Sequence, residues 1–180
     1  MTAEPAAVAP VMPAALRERI VAEFPKYPEK RAVLLTALHF VQETFEGWIP
    51  KEVVPEIAEV LELKEIEVWE VIYFYAMFNS ERVGRCHIRV CTNLSCCLRG
   101  ARGIMTRLEE TLALRPGEVT PDGNFSVAGV ECLGSCGTAP VIQVNNEVYR
   151  ENLSEDDLPG LIEELRARLA SQDAAKEGTE

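Results

Sequence analysis

Six cysteines crowded into one part of the chain constrain its fold and chemistry more than any other sequence feature. All six lie between positions 86 and 136 of the 180 residues. Cysteines that serve only as small core residues would be scattered along a chain, so this clustering favours a metal site. The N-terminal residues lack the basic region of a secretory signal peptide. We therefore expect a reducing compartment, in which structural disulfides do not persist.

Four of these cysteines form two pairs, each placed after a predicted strand. A Cys-x4-Cys pattern joins Cys91 to Cys96, and a Cys-x3-Cys pattern joins Cys132 to Cys136. Both pairs fall in short loops that are predicted to lack regular structure. Glycines in the second loop, CLGSCGTAP, let backbone N–H groups approach an anionic inorganic core. The spacing therefore favours a [2Fe–2S] cluster held by four thiolates.

Spacing alone leaves other interpretations open. Structural zinc is the main rival, although zinc sites favour Cys-x2-Cys knuckles that neither pair matches. Four unliganded thiols are the third alternative. Because Cys96 and Cys97 are adjacent, only one of them is expected to reach a metal, and spacing does not decide which. Cys86 falls on the opposite face of its strand from Cys91, so we expect it to be a small core residue.

Charge is distributed unevenly along the chain. The net charge of −11 argues against nucleic-acid binding, which needs a positive field. Between positions 81 and 107, however, six arginines and one acid give +5, which leaves −16 on the remaining residues. These arginines are either an ordinary solvated surface or a positive surround for an anionic cofactor or an acidic partner. They are Arg82, Arg85, Arg89, Arg99, Arg102 and Arg107.

Two further classes of protein are excluded by pattern. The sequence has no apolar, uncharged run long enough for a membrane span, so we expect no direct membrane insertion. It also has no Gly-x-Gly-x-x-Gly or Walker loop, so we expect no nucleotide bound by this chain itself.

Hydrophobic periodicity divides the chain into two blocks between polar ends. Residues 1–13 are predicted to be a disordered arm, and residues 171–180 a disordered tail. Residues 14–80 are predicted to form a helical bundle, because apolar side chains recur at steps of three and four. The last helix of this bundle is predicted from Lys64 through Phe78. It is apolar on nearly every side, so we expect it to be buried on several sides, against the second block or a partner.

Residues 85–170 are predicted to alternate strands and helices. The order is β-α-β-β-β-α, which is typical of a small α/β layer such as the thioredoxin-like fold. Ser154 and Asp157 form a capping-box start for the last helix. The predicted strands and the first helix are Cys86–Cys91, Arg99–Leu114, Phe125–Val130, and a hairpin of Val141–Val144 with Val148–Tyr149.

Five segments together resemble a known family. They are GWIP at 47–50, VIYFYAMF at 71–78, VCTNLSC at 90–96, GEVTPDGNFSV at 117–127 and ECLGSCGTAPVIQVNNEVY at 131–149. With these segments, residues 17–165 closely resemble the thioredoxin-like [2Fe–2S] subunit of the peripheral arm of bacterial respiratory complex I, the NADH:quinone oxidoreductase.

The resemblance implies an α+β fold with an N-terminal helical bundle followed by a thioredoxin-like [2Fe–2S] ferredoxin domain. It implies the cluster ligands Cys91, Cys96, Cys132 and Cys136, and so favours Cys96 over Cys97. No catalytic residue or substrate site is implied on this chain. The implied partners are an NADH- and FMN-binding flavoprotein subunit and other peripheral-arm subunits, at the cytoplasmic side of the inner membrane.

The sequence departs from the common family loop in two places. Asn93-Leu94 stands where smaller residues are usual, and Cys97 is an additional cysteine. The same module occurs in NAD-linked hydrogenases and formate dehydrogenases, which are alternatives for the complex. A free-standing thioredoxin-like ferredoxin would lack the helical first block. A zinc-stabilised interaction domain is the alternative from a different functional class.

Overall fold

Residues 12–115 and 117–177 are described by the computed structural model of the chain. The chain divides into two units, Met1–Arg82 and Val83–Glu180. Most of the predicted N-terminal arm lies outside the described residues. Met12, at its end, is buried in the first unit, and its backbone N–H donates to Glu56 Oε1 at 3.2 Å. In the part of the chain that is described, no helix has the length and apolar character needed to cross a membrane.

The first unit is built from helices packed around one apolar core. Val41, Ile49, Ile57 and Val68 are among its fully buried side chains. Two of the helices are preceded by a short 3-10 turn, at Lys30–Val33 and at Lys51–Val53. Among the described residues its α-helices are α1 (Ala14–Val21), α2 (Leu34–Thr44), α3 (Val54–Leu61) and α4 (Glu65–Phe74).

The end of α4 differs from the sequence prediction. The helix ends at Phe74 rather than Phe78, so its predicted extent was wrong. Phe74 is 79% exposed. The residues after Phe74 do not continue the helix, and the backbone of Met77 and Asn79 is instead hydrogen-bonded to a side chain of α2. Gln42 Nε2 donates to the carbonyl of Met77 at 2.9 Å, and Gln42 Oε1 accepts from the N–H of Asn79 at 2.8 Å. These bonds join residues far apart in sequence, so helical periodicity could not show them.

The second unit is a mixed sheet with helices on one face. Its strands are ordered β2-β1-β3-β4; β1 is parallel to β2 and antiparallel to β3, which is antiparallel to β4. The α+β fold class is confirmed, and the predicted order β-α-β-β-β-α is observed with one additional short helix, α5, after β1. The elements described are β1 (Cys86–Cys91), α5 (Leu94–Leu98), α6 (Ala101–Leu112), β2 (Phe125–Val130), β3 (Ile142–Val144), β4 (Val148–Arg150) and α7 (Leu158–Glu177).

The two faces of this sheet have different compositions. Alternate residues of β1, including Ile88 and Val90, are buried in the same apolar cluster as Ile104 and Leu108 of α6 and Leu158 of α7. Cys86 is in this cluster, as predicted. On the other face, the intervening positions of β1 and β2 include the polar residues His87, Arg89 and Ser126. The buried polar residues of the second unit are His87, Arg89, Ser126 and Gln143.

The C-terminal helix is longer than predicted. After the predicted capping box, in which Asp157 accepts from the Ser154 N–H at 2.8 Å, α7 continues to Glu177 instead of ending at 170. Residues 171–177 contain alanine, glutamine, lysine and glutamate, which favour helix, and neither glycine nor proline. Arg85 also holds this part of the helix, because its guanidinium donates to both carboxylate oxygens of Asp173 at 3.0 and 2.7 Å.

Candidate iron–sulfur site

The two cysteine loops meet because β1 and β2 are parallel neighbours. Cys91 is the last residue of β1, and its register partner on β2 is Val130. Parallel strands point their carboxyl ends to the same sheet edge, so the chain leaves both strands on one side. The N–H of Thr92 still donates to the Val130 carbonyl at 2.8 Å. Cys132, two residues beyond β2, is thereby brought close to Cys91.

The short helix α5 places the second cysteine. Asn93 caps it, with its Oδ1 accepting from the N–H of Leu94 at 2.9 Å. The prediction of a loop without regular structure was wrong here, because a five-residue helix leaves too little periodicity to detect. Cys96 is 1% exposed, whereas Cys97 is half-buried and donates from its Sγ to the Thr92 carbonyl at 3.1 Å.

The four predicted ligand residues lie close enough to influence one another. The thiols of Cys96 and Cys132 lower the pKa of the Cys91 thiol, and Cys91 and Cys136 raise the pKa of the Cys96 thiol. The Sγ atoms of Cys132 and Cys136 are 3.9 Å apart. Cys91 and Cys96 are buried and form what we call the inner pair. Cys132 and Cys136 are exposed and form the outer pair.

Burial and backbone donors act in opposite directions on the inner pair. Burial is the largest influence on Cys91 and raises the pKa of its thiol. The N–H groups of Asn93 and Leu133 nevertheless bring that pKa below its ordinary value. For Cys96, burial and then the neighbouring Cys91 raise the pKa of the thiol to about 11. The N–H groups at Cys91 are donors of the kind that stabilise a thiolate bound to iron.

The loop of the outer pair contains several glycines, but within the described residues Gly134 is the only one of these glycines that is seen to donate its N–H to a cysteine sulfur. Gly134 adopts a positive φ of 78°, and its N–H donates to the Cys132 Sγ at 3.4 Å. The donors to Cys91 come from an asparagine and a leucine instead. Because every residue except proline has an N–H group, residue type could not identify these two.

A [2Fe–2S] cluster fits this arrangement of donors. Its irons are held by four thiolates, two to each iron, so it needs two pairs of cysteines rather than four sulfurs around one ion. The inner and outer pairs would supply the four sulfurs, and the backbone N–H groups at Cys91 and Cys132 would offset part of their negative charge.

The arginine-rich segment has several separate roles. Arg85 pairs with Asp173 at 2.7 Å, Arg107 lies 3.7 Å from Glu110, and Arg82 lies over the Trp48 ring at 5.3 Å. Arg89 is buried in β1, and burial lowers its pKa. Ordinary surface ion pairs and packing therefore account for Arg82, Arg85 and Arg107, as the first interpretation of this segment expected.

His87 belongs to the polar face of the sheet. Its Nδ1 is 2.8 Å from Ser126 Oγ, and that oxygen also accepts from the Gly84 N–H at 2.8 Å. Burial, followed by the charge of Arg89, lowers the pKa of His87 to about 4. The imidazole is therefore neutral at physiological pH, and its ring is held by a structural hydrogen bond.

We expect His87 to make the second unit sensitive to acid. The pKa of His87 is about 4 in the folded chain and has its ordinary value of 6.5 in the unfolded chain. Between these two pH values the unfolded chain therefore binds more protons than the folded one. Stability is then lost as the pH falls through this window, by up to about 3 kcal/mol for a shift of this size. The Asp122 carboxyl also has a lowered pKa, so it adds a further loss of stability as the pH falls below 3.8.

Urea unfolding at a series of pH values measures how the free energy of unfolding changes with pH. His87→Gln should make this dependence weaker. An equal slope in both proteins would contradict the assignment to His87.

Comparison with known proteins places this geometry in a family. The model of the thioredoxin-like [2Fe–2S] ferredoxin family matches residues 19–166. NADH-quinone oxidoreductase subunit 2 of Thermus thermophilus is 48% identical over 146 residues, which cover 80% of this chain and 80% of that protein. An NADH-quinone oxidoreductase subunit of Rhizobium meliloti is 41% identical over 152 residues, 84% of this chain and 89% of that one.

A solved structure shares the fold at lower identity. The air-oxidised NAD+-reducing [NiFe]-hydrogenase aligns with a TM-score of 0.62 and 23% identity. The alignment covers 75% of this chain but only 23% of the hydrogenase chain, so it concerns the fold of one part of that protein. The family match extends over most of the chain and includes both cysteine pairs. This chain belongs to the thioredoxin-like [2Fe–2S] ferredoxin family.

Proposed function

We propose that this chain is the electron-transfer subunit of an NADH:quinone oxidoreductase. Its one [2Fe–2S] cluster would exchange electrons with the FMN of a partner subunit that oxidises NADH. The observation that carries the proposal is the convergence of four cysteines, in an inner and an outer pair, in a member of this family. The relatives named NADH-quinone oxidoreductase subunits support the identity of the complex.

We propose Cys91, Cys96, Cys132 and Cys136 as the ligands. The influence of Cys96 and Cys132 on the pKa of the Cys91 thiol, and the 3.9 Å separation of the two Sγ atoms of the outer pair, support this set. Cys97 directs its thiol to the Thr92 carbonyl, which supports Cys96 as the ligand of the adjacent two. When bound, the cluster accepts and returns one electron at a time.

The residues of this chain set the conditions for that transfer. The inner pair is buried, which excludes water from one side, and the N–H groups of Asn93 and Leu133 stabilise negative charge there. The outer pair is exposed. We propose that electrons enter and leave at the outer pair, because it is the exposed part of the site.

The partner and the location follow from the same assignment. We propose that a flavoprotein subunit holds NADH and FMN, and that this chain and other peripheral-arm subunits assemble with it on the cytoplasmic side of the inner membrane. The sequence supports this division of roles, because it contains neither Gly-x-Gly-x-x-Gly nor a Walker loop. An NAD-linked hydrogenase or formate dehydrogenase would use the same module with a different electron acceptor.

Purification from the native host tests the proposal. A tagged chain isolated without oxygen should co-purify with an FMN-containing, NADH-oxidising protein and contain equal amounts of iron and acid-labile sulfide. Reduction should produce the electron paramagnetic resonance signal of a [2Fe–2S] cluster. A chain that carries the cluster but has no flavoprotein partner would be a free-standing ferredoxin. A colourless chain with stoichiometric zinc would contradict the cluster itself.

A further inference from the structure

The loop that carries the outer pair is tied to the end of β4 by a carboxylate. Ser135 lies between Cys132 and Cys136, and Thr138 follows them. The Ser135 hydroxyl donates to Glu151 Oε1, and Thr138 Oγ1 lies 2.8 Å from the same oxygen. The two hydroxyl oxygens are 2.7 Å apart. One carboxylate oxygen therefore accepts hydrogen bonds from both hydroxyl groups of this loop.

Backbone hydrogen bonds hold Glu151 beside the loop. The N–H of Asn152 donates to the Thr138 carbonyl at 2.7 Å, and the N–H of Leu153 donates to the Pro140 carbonyl at 3.2 Å. These bonds attach the segment after β4 to the segment that follows the cysteine loop. Glu151 is thus fixed by the fold, while its carboxylate reaches toward the cysteine loop.

Hydrogen bonds, rather than the packing of its cysteine side chains, must hold the cysteine loop in place. Both outer-pair cysteines are exposed, so packing does not fix their positions. Gly134 has a positive φ, and a Cβ at Gly137 would meet nothing within 4 Å. Glycine in open space allows the backbone many conformations. Hydrogen bonds between side chains then decide whether the two sulfurs stay in one arrangement.

We propose that Glu151 is a positioning residue for the iron–sulfur site. Acting through Ser135 and Thr138, it holds the loop so that Cys132 and Cys136 face the inner pair. The assignment rests on the proposed ligation by these two cysteines. Glu151 does not touch the cluster itself, so its removal should loosen the outer half of the site and leave all four ligands present.

The rate of cluster loss from the full-length, cluster-loaded chain tests this role. With an iron chelator present, Ser135→Ala and Glu151→Ala should each lose the cluster on the order of tenfold faster than the wild type, as expected for loss of a hydrogen bond to a charged group. The double variant should be little faster than Glu151→Ala, because that change already removes the hydrogen bond to Ser135. Ser135→Thr keeps the hydroxyl and should behave like the wild type.

A spectroscopic measurement separates positioning from a general loss of stability. The g-values of the reduced cluster should change in Ser135→Ala and Glu151→Ala. They should be unchanged in Glu147→Gln, an exposed acid on the same hairpin that pairs with Arg168 at 3.3 Å. The positioning role of Glu151 would be overturned if both alanine variants had wild-type rates and g-values, or if the rate effects were fully additive in the double variant. Neither result would affect the proposed function. A wild-type chain that binds no iron would instead overturn the proposed function, and this inference with it.

Discussion

Replacing Cys136 with serine is expected to abolish stable cluster binding. The serine hydroxyl is not deprotonated at neutral pH, and iron–sulfur clusters require soft thiolate ligands. We expect iron content to fall by more than about tenfold, since even changes to residues that only support a metal ligand cost roughly 10- to 100-fold in affinity. Visible absorbance together with iron and sulfide analysis of the purified chain measures the effect. Cys132→Ser should act in the same way.

Two other cysteines provide matched controls for this prediction. Cys97 is adjacent to a proposed ligand but directs its thiol to the Thr92 carbonyl. Cys86 lies in the apolar core, where burial raises the pKa of its thiol. Cys97→Ser and Cys86→Ser should both keep the visible absorbance. Loss of the cluster in Cys97→Ser, combined with its retention in Cys96→Ser, would show that the proposed ligand set is wrong by one residue.

Replacing Gly84 with alanine is expected to destabilise the second unit strongly. A Cβ at this position would lie 2.3 Å from the carbonyl carbon of Phe125 and 2.6 Å from the backbone nitrogen of Ser126. These are backbone atoms of β2, so relief requires the strand to move away from β1. Forced overpacking of this kind costs typically about 1–3 kcal/mol, and occasionally more. Urea unfolding of the reduced chain measures the loss in free energy of unfolding.

Two other glycines distinguish this clash from a general effect of added side chains. At Gly160, within α7, a Cβ would meet nothing within 4 Å, so alanine should stabilise the helix by about 0.5–1 kcal/mol. At Gly103 the nearest atom is Glu155 Oε1, at the end of a flexible side chain that can rotate away. Gly103→Ala should therefore cost less than Gly84→Ala. Equal costs at Gly84 and Gly160 would contradict the predicted clash.

Local patterns predicted much of the fold because its elements are coded locally. The alternation in Cys86–Cys91, the turn residues before Phe125, and the Ser154 capping box are each contained within a few neighbouring residues. The prediction failed at the end of α4, where the extent of the helix depends on hydrogen bonds from Gln42. Helical periodicity does not register a competing partner from another helix.

The candidate site divides in the same way. The two cysteine spacings indicated an iron–sulfur cluster, and the family resemblance singled out four of the six residues. No local pattern connected Glu151 with the outer pair, because an exposed acid after a short strand resembles any other surface carboxylate. The partners of Ser135 and Thr138 become known only when the β3–β4 hairpin is folded beside the cysteine loop.

For this protein, the sequence by itself determined which reactive groups are available. They are four thiols in two spaced pairs, each pair following a strand, in a chain that contains no nucleotide-binding motif. Tertiary structure decided how those thiols meet. Because β1 and β2 are parallel, their carboxyl ends share one sheet edge, and two loops distant in sequence become neighbours. The tertiary structure also buried Cys91 and Cys96 while leaving Cys132 and Cys136 exposed. Both outcomes depend on which strands pair and what packs on them, and such long-range contacts have no local signature.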